Sequence, residues 1–470
     1  MKLYSIILFC VLSIGVNAQY DFEINIKGGS TDTLIIGNYF ADKQLVKDTL
    51  IGKDGKFNWS DPDTVIHPGV YFMLENGSQD FAQFFVPSDD QNFKMDWDVK
   101  KGDQIDFKGS EDNEVFSDYV QFLDGVRPKA NAANQRLALA DSTGVQDMDA
   151  EKELEAIDKK VQAEQERIVK EYPNSISANF IRSTLQLDLP EFEGKDAQYK
   201  TYRYYKKHYF DNLDLGNPAN LLTPFIHQRV DYYIENLTQK DPDSTIHSID
   251  YLLTEMRPSN STYQYYLSHF LNKYAKAKII GFDAVYVHLV DVYYNKENAP
   301  WVSEENLSKI KKQADDFRTV LIGKKFPDIT TYMADSLNTP VRLWDVESPY
   351  TVLVFWAHDC GHCTKAMPDI VKFYDEYESK GVTLISICTK GGKKTEKCIE
   401  AIPKKNMEKF INTFDEFQRY RRKTYIPSTP KIFILDKDKN IMIKDLPAKE
   451  LINIMPLIIE EDQNRQLDNK

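Results

Sequence analysis

Apolar positions change their period along this chain, and each change marks a different kind of structure. From residue 19 to about 110 they alternate. Phe22, Ile24 and Ile26 point one way, Glu23 and Asn25 the other, as in a strand with one buried face. Thr33–Asn38, Val46–Ile51, Gly69–Leu74, Phe81–Val86, Phe93–Trp97 and Ile105–Phe107 read as further strands. Asp54-Gly55 and Asn76-Gly77 are tight hairpin signals among them. Short strands at such close spacing predict an N-terminal all-β sandwich over residues 19–110.

From 111 to about 320 the period becomes helical. Glu151–Glu171 carries Leu154, Ile157, Val161 and Ile168 on one stripe, and Pro173 stops it. Leu221–Leu237 reads as a second helix. Tyr263, Tyr266, Phe270 and Tyr274 recur at helical spacing, as do Phe282, Tyr286, Leu289 and Tyr293. Such aromatic stripes are more often inter-helix packing than a ligand surface. Arg127–Asp149, polar and Ala-rich, is expected as a long loop. The whole stretch 111–320 is an α-helical middle region without a fixed repeat.

Past 320 strands and helices mix. Val341–Trp344 is a short strand, and Thr351–Trp356, β-branched and aromatic throughout, is a buried one. A helix follows, with Cys363, Met367, Ile370, Val371 and Tyr374 on one face. Val382–Cys388 is a strand. A longer connection then contains helical pieces such as Met407–Phe414. Within it Lys390–Lys394 reads as a mobile solvated turn. Lys431–Leu435 and Ile441–Ile443 are strands, and Leu451–Ile459 is a closing helix.

Composition adds the compartment. Met1–Ala18 has Lys2, an apolar run from Leu3 to Val16 too short to span a bilayer, and a small-residue Val16-Asn17-Ala18 site. These are the parts of a signal peptide. Cys10 follows the bulky Phe9, which argues against lipid attachment there. No other run is long and apolar enough to span a membrane. The net charge of −13 argues against nucleic acid or an anionic membrane surface as partner. Past the signal, the cysteines are Cys360, Cys363, Cys388 and Cys398. All fall in the last third, so the rest of the chain does not depend on disulfides.

Cys360 and Cys363 stand where a strand turns into a helix. Residues three apart there share a face, within reach of a disulfide. The unpaired N–H groups and positive dipole end of the helix favour a thiolate. Cys360, at the first turn, is therefore expected to have a lowered pKa and to attack, with Cys363 the buried resolving thiol. His362 between them favours the thiolate and hence the reduced state, which makes such a pair more oxidising. A zinc site would need a second close pair; Cys388 and Cys398 are too widely spaced for a zinc knuckle, so no metal and no cofactor is expected. These two either pair with each other in a static disulfide or remain free.

Phe355-Trp356-Ala357-x-x-Cys360-Gly361-His362-Cys363, followed by Pro368, resembles the active site of the thioredoxin superfamily. Its Gly-His dipeptide is of the protein disulfide isomerase type. Gly323–Ile329 and Ser428–Asp436 resemble the entry segment and cis-proline loop of TlpA-like, AhpC-redoxin type extracytoplasmic thiol:disulfide oxidoreductases. Lys108-Gly109-Ser110 ends a stretch similar to a β-domain that precedes thioredoxin-like modules in Bacteroidetes-type proteins. The resemblance implies a C-terminal α/β thioredoxin fold over 321–470, with an insertion between Cys388 and the proline loop. It implies a cis Pro430 packed against the dithiol, and Thr429 and Trp356 contacting substrate. It also implies an exported oxidoreductase in the periplasm or cell envelope of a Gram-negative bacterium, exchanging disulfides with envelope proteins and drawing electrons from an envelope thiol donor.

Two positions depart from the pattern. Val354 stands where an acid often relays protons, and Ala366 where a glutamate is common. Asp359, His358 and His362 are the remaining candidates for the base that deprotonates Cys363. A non-catalytic thioredoxin-fold binding or scaffold protein is therefore the alternative reading. Peroxidase action lacks its Pro-x-x-x-Thr segment.

Overall fold

The computed structural model describes residues 20–468, apart from 30, 62–65, 76, 78–80, 90, 103, 145 and 337–338. The proposed signal segment and Asn76 of the second turn signal lie outside the described residues. The N-terminal strands are β1 (Tyr20–Lys27), β2 (Thr33–Phe40), β3 (Lys43–Ile51), β4 (Lys56–Asp61), β5 (Gly69–Glu75), β6 (Phe81–Val86), β7 (Asn92–Asp98) and β8 (Ile105–Lys108). They form two four-stranded sheets, β4-β1-β7-β8 and β3-β2-β5-β6. Phe22, Ile24, Trp59 and Met95 of the first meet Leu34, Ile36, Tyr71 and Phe84 of the second in one core. Alternation produces this sandwich, since burial in β1 falls on every second residue. The Asp54-Gly55 turn carries the chain from β3 in one sheet to β4 in the other, with both residues at positive φ. A Cβ on Gly55 would lie 2.3 Å from the Ile26 carbonyl oxygen, so only glycine fits.

The helices are α1 (Glu111–Thr143), α2 (Met148–Glu171), α3 (Ile176–Ser183), α4 (Ala197–His208), α5 (Phe225–Asn236), α6 (Pro242–Met256), α7 (Asn260–Ala275), α8 (Asp283–Tyr293) and α9 (Glu304–Arg318). The expected loop at Arg127–Asp149 is instead mostly helix. Helix α1 runs on to Thr143 because alanines and leucines carry high helix propensity even without an apolar stripe. Arg136 then ties α1 to Asp147 at 2.9 Å and to Glu153 at 3.0 Å. Leu221–Leu237 is not one helix either. Pro224 drives Thr223 into extended backbone, and α5 starts only after it. In the two predicted stripes Tyr266, Phe270, Tyr286 and Leu289 are wholly or almost wholly buried, as packing residues are. The chain divides into two compact units within this region: one reaches Thr238 and includes Tyr251–Tyr263, the other holds Gln239–Asp250 and the chain from Gln264 onward.

In the second unit the remaining elements are β9 (Thr330–Met333), β10 (Pro340–Arg342), β11 (Tyr350–Trp356), α10 (Gly361–Tyr377), β12 (Val382–Cys388), α11 (Thr395–Lys404), β13 (Ile411–Phe414), β14 (Lys431–Leu435), β15 (Ile441–Lys444) and α12 (Leu451–Asp468). The sheet order is β10-β9-β13-β12-β11-β14-β15. Strand β11 is central and buried along its length, which is why it reads as an unbroken apolar run. Val352, Val354 and Trp356 pack on one face with Cys363, Met367 and Ile370 of α10. Leu353 and Phe355 pack on the other with Phe326, Tyr420 and Phe433.

Two local expectations change here. The strand at Val341–Trp344 ends at Arg342, and Leu343–Asp345 forms a single 3₁₀ turn. Met407–Phe414 is not helical: Ile411–Phe414 is strand β13, parallel to β12, and the helix of the insertion is α11. Buried Asn412 explains the switch. Its amide donates to the carbonyls of Met407 and Phe410, and its oxygen accepts from Ser386 of β12 at 2.6 Å. Side-chain bonds of this kind draw a segment away from helix.

Candidate active site

Strand β11 ends at Trp356, and four residues later Cys360 stands at the head of α10. Cys360 sits at the N-cap, with extended backbone (φ −90°, ψ 111°). Its Sγ takes the role that a Ser or Asp oxygen usually plays there, accepting from the Cys363 N–H at 3.1 Å. Both cysteines are free thiols; Cys360 is half-buried and Cys363 fully buried.

The two sulfurs have opposite electrostatics. Burial opposes the Cys360 thiolate. Hydrogen bonds from the Cys363 thiol, the Thr429 hydroxyl and the amides of Cys363 and His362 outweigh it, and the Cys360 pKa falls below that of an ordinary thiol. The protonated thiol does donate to the Thr429 carbonyl at 3.3 Å, a bond that favours the neutral form; the more numerous bonds to the thiolate prevail. Burial, then the neighbouring Cys360 sulfur, push the Cys363 thiol up to about 11. Iodoacetamide is expected to label Cys360 with a midpoint below about 8.5, the ordinary thiol value, and to leave Cys363 unlabelled at that pH. A Cys360 midpoint at or above 8.5 contradicts this reading of the site.

The structure brings Thr429 to the dithiol, and the Thr429–Pro430 bond is cis. His362 is exposed in the first turn, with its amide towards Cys360. Trp356 is 1% exposed and lies in the core with Cys363. It therefore supports the dithiol from beneath instead of presenting a face to substrate. Val354 is buried and Ala366 half-buried. Among the candidate bases, Asp359 bonds Lys390 at 2.9 Å, and that ammonium holds its carboxyl below the usual range. The groups that set the Cys363 acidity are burial, Cys360, Ala357 and Thr429; none is a carboxylate or imidazole.

Cys388 and Cys398 form a disulfide with Cα atoms 6.4 Å apart. Cys388 is paired in register with Trp356. A cleft of about 680 Å³ opens beside Cys360, lined on its far side by the insertion. Lys390–Lys394, expected as a mobile solvated turn, is part of that wall. Its fixing contacts come from residues distant in sequence, so no local pattern announces them.

A sheet of this order, with a dithiol at the head of the helix after its central strand and a cis-proline loop alongside, defines a thioredoxin-like domain. Residues 322–443, which carry the dithiol, match the AhpC/TSA family. Residues 154–319 and 20–116 match two families described as domains of unknown function, DUF5106 and DUF4369. The chain is similar to the thiol-disulfide oxidoreductase ResA of Oceanobacillus iheyensis, 29% identical over 17% of this chain and 44% of that protein. It is also similar to the sporulation thiol-disulfide oxidoreductase A of Bacillus subtilis, 26% identical over 19% of this chain and 55% of that one. The chain thus spans about half the length of these curated relatives. A thioredoxin-like protein from Bacteroides caccae has a solved structure that covers 58% of this chain and 99% of its own, at 16% identity and a TM-score of 0.47.

Proposed function

We propose that this chain is an exported thiol:disulfide oxidoreductase that exchanges disulfides with cysteines of other cell-envelope proteins. The observation that carries the reading is the split between its thiols: an outer sulfur biased towards thiolate and an inner one buried and protonated. That split suits an attacking and a resolving thiol. In the reducing direction the Cys360 thiolate attacks one sulfur of a substrate disulfide. A Cys360–substrate bond forms, and the other substrate sulfur leaves as thiolate and takes up a proton. Cys363 then loses its proton and attacks Cys360. The Cys360–Cys363 disulfide forms and the second substrate thiol departs, so the substrate gains the two electrons that the dithiol loses. An envelope thiol donor restores the pair.

The first 18 residues would direct export. Pro430 and Thr429 border the sulfurs, the latter offering its backbone to an extended substrate segment. His362 favours the thiolate, and Trp356 holds the dithiol in place. The full chain is expected to catalyse insulin reduction and to equilibrate with glutathione as one two-electron couple. The lowered Cys360 pKa stabilises the reduced form. The potential is therefore expected above the thioredoxin value of about −270 mV, towards the isomerase value of about −180 mV. The binding or scaffold reading draws support from the groups that shift the Cys363 thiol, among which there is no carboxylate or imidazole. Absence of any catalysed reduction leaves that reading alone.

A further inference from the structure

The cleft beside Cys360 is walled by two segments of the insertion that are locked together. Gly391 lies so close to the Glu416 backbone that a Cβ would sit 2.5 Å from its carbonyl oxygen. Gly392, at φ +56°, donates its N–H to that same oxygen at 3.1 Å. Gln418 reaches back and donates to the Thr389 carbonyl at 2.9 Å. Thr389 in turn donates its N–H and its hydroxyl to the Trp356 carbonyl, at 2.8 and 3.0 Å. The Cys388–Cys398 disulfide clips the start of this loop to α11.

The opposite turn is built on a buried carboxylate. Asp415, 0% exposed, accepts from the amides of Phe417 and Tyr420 at 3.2 and 3.3 Å, from the Arg419 amide, and from Arg419 Nε at 3.2 Å. The wall is therefore preformed and anchored to the strand end that carries the dithiol. A site with these properties binds without first ordering a loop.

Its lining has a definite chemistry. Lys390 is matched by Asp359, while Lys394 and Arg421 have only Glu416 among the lining residues to offset them. A local excess of positive charge on a chain of net charge −13 selects partners by sign. Phe417, 72% exposed, stands in the same lining. It supplies an apolar surface next to the cations, and the cleft continues to the Thr429 backbone.

Resting on the oxidoreductase reading above, we infer that this cleft selects substrates: it takes the extended segment flanking the substrate cysteine, and prefers one with an acidic side chain followed by an apolar one. Lys394 and Arg421 pair the acid, and Phe417 packs the apolar residue. Lys394, Arg421 and Phe417 are then specificity determinants, separate from the sulfur chemistry.

The test compares reduction of two disulfide peptides identical except for Glu or Lys beside the cysteine, with hydroxyethyl disulfide as an uncharged control that does not fill the cleft. Wild-type full-length chain is expected to show kcat/KM at least about tenfold higher for the Glu peptide, a preference of the size that close charge pairs give. The preference should shrink on moving from about 0.05 to about 0.5 M salt, where the Debye length falls to a few ångströms. Lys394→Glu with Arg421→Glu should invert it, and Phe417→Ala should raise KM for both peptides severalfold. The control rate should be unchanged in all variants. Equal rates for the two wild-type peptides with an intact control rate overturn the cleft assignment and leave the oxidoreductase reading standing. No reduction of any disulfide, the control included, overturns both.

Discussion

Cys360→Ser is expected to lower the rate of insulin reduction by roughly a thousandfold or more, to the uncatalysed background, because a covalent step has no substitute nucleophile in the site. Cys363→Ala is expected to fail differently. Its turnover also stops, but the first exchange survives: the variant loses the Cys363 thiol, the largest of the groups that lower the Cys360 pKa, yet the Thr429 hydroxyl and the amides of residues 362 and 363 still bond the sulfur. The Cys360 pKa should rise in that variant. Without the buried thiol to displace it, the substrate stays bound to Cys360. Mass spectrometry of protein purified from cell-envelope extract should then reveal disulfide-linked partners on Cys363→Ala and none on the Cys360→Ser, Cys363→Ala double variant. Equal, negligible rates for wild type and Cys360→Ser would remove the catalytic reading.

Much of this site is legible in the sequence because its determinants are local. An unbroken apolar run, Thr351–Trp356, announces the central strand, and two cysteines three apart at the head of a helix announce the dithiol. The acidity ordering follows from position alone: one sulfur caps the helix and the other lies a turn inside, under the core. Thr429-Pro430 is legible only through resemblance, since a cis bond leaves no mark on composition.

What stays hidden is non-local. Residues 127–143 lack an apolar stripe and look like a loop; alanine propensity and the Arg136 pairs to Asp147 and Glu153 make them helix. The segment 407–414 has apolar spacing compatible with helix, yet β12 offers Ile411–Phe414 a ladder and Ser386 offers Asn412 a hydrogen bond. The two glycines at 391 and 392 read as slack. Gly391 is needed because a Cβ there would sit 2.5 Å from the carbonyl oxygen of Glu416, far along the chain, and Gly392 because its φ is +56°. The misses at 127–149, 390–394 and 407–414 sit in the helical region and the insertion, where contacts between distant segments outrank local preference.

The two faces of the C-terminal sheet give a way to separate stability from sulfur chemistry. Phe433 lies on the face away from α10, wholly buried, with its ring 5.0 Å from that of Phe326 and 6.0 Å from that of Phe355. Phe433→Ala removes an aromatic side chain from a core that cannot close over the space, and such losses cost about 3–5 kcal/mol. Hydrogen exchange of the β11 amides should therefore quicken by roughly two to four orders of magnitude wherever exchange follows unfolding of this domain. The dithiol belongs to the opposite face, where Val354, Trp356 and Met367 surround Cys363. The alkylation midpoint of Cys360, measured well below the unfolding transition, should stay at its wild-type value in Phe433→Ala. A shifted midpoint in a still-folded variant would mean that the acidity of Cys360 depends on the packing of the whole sheet, not on the hydrogen bonds at the head of α10.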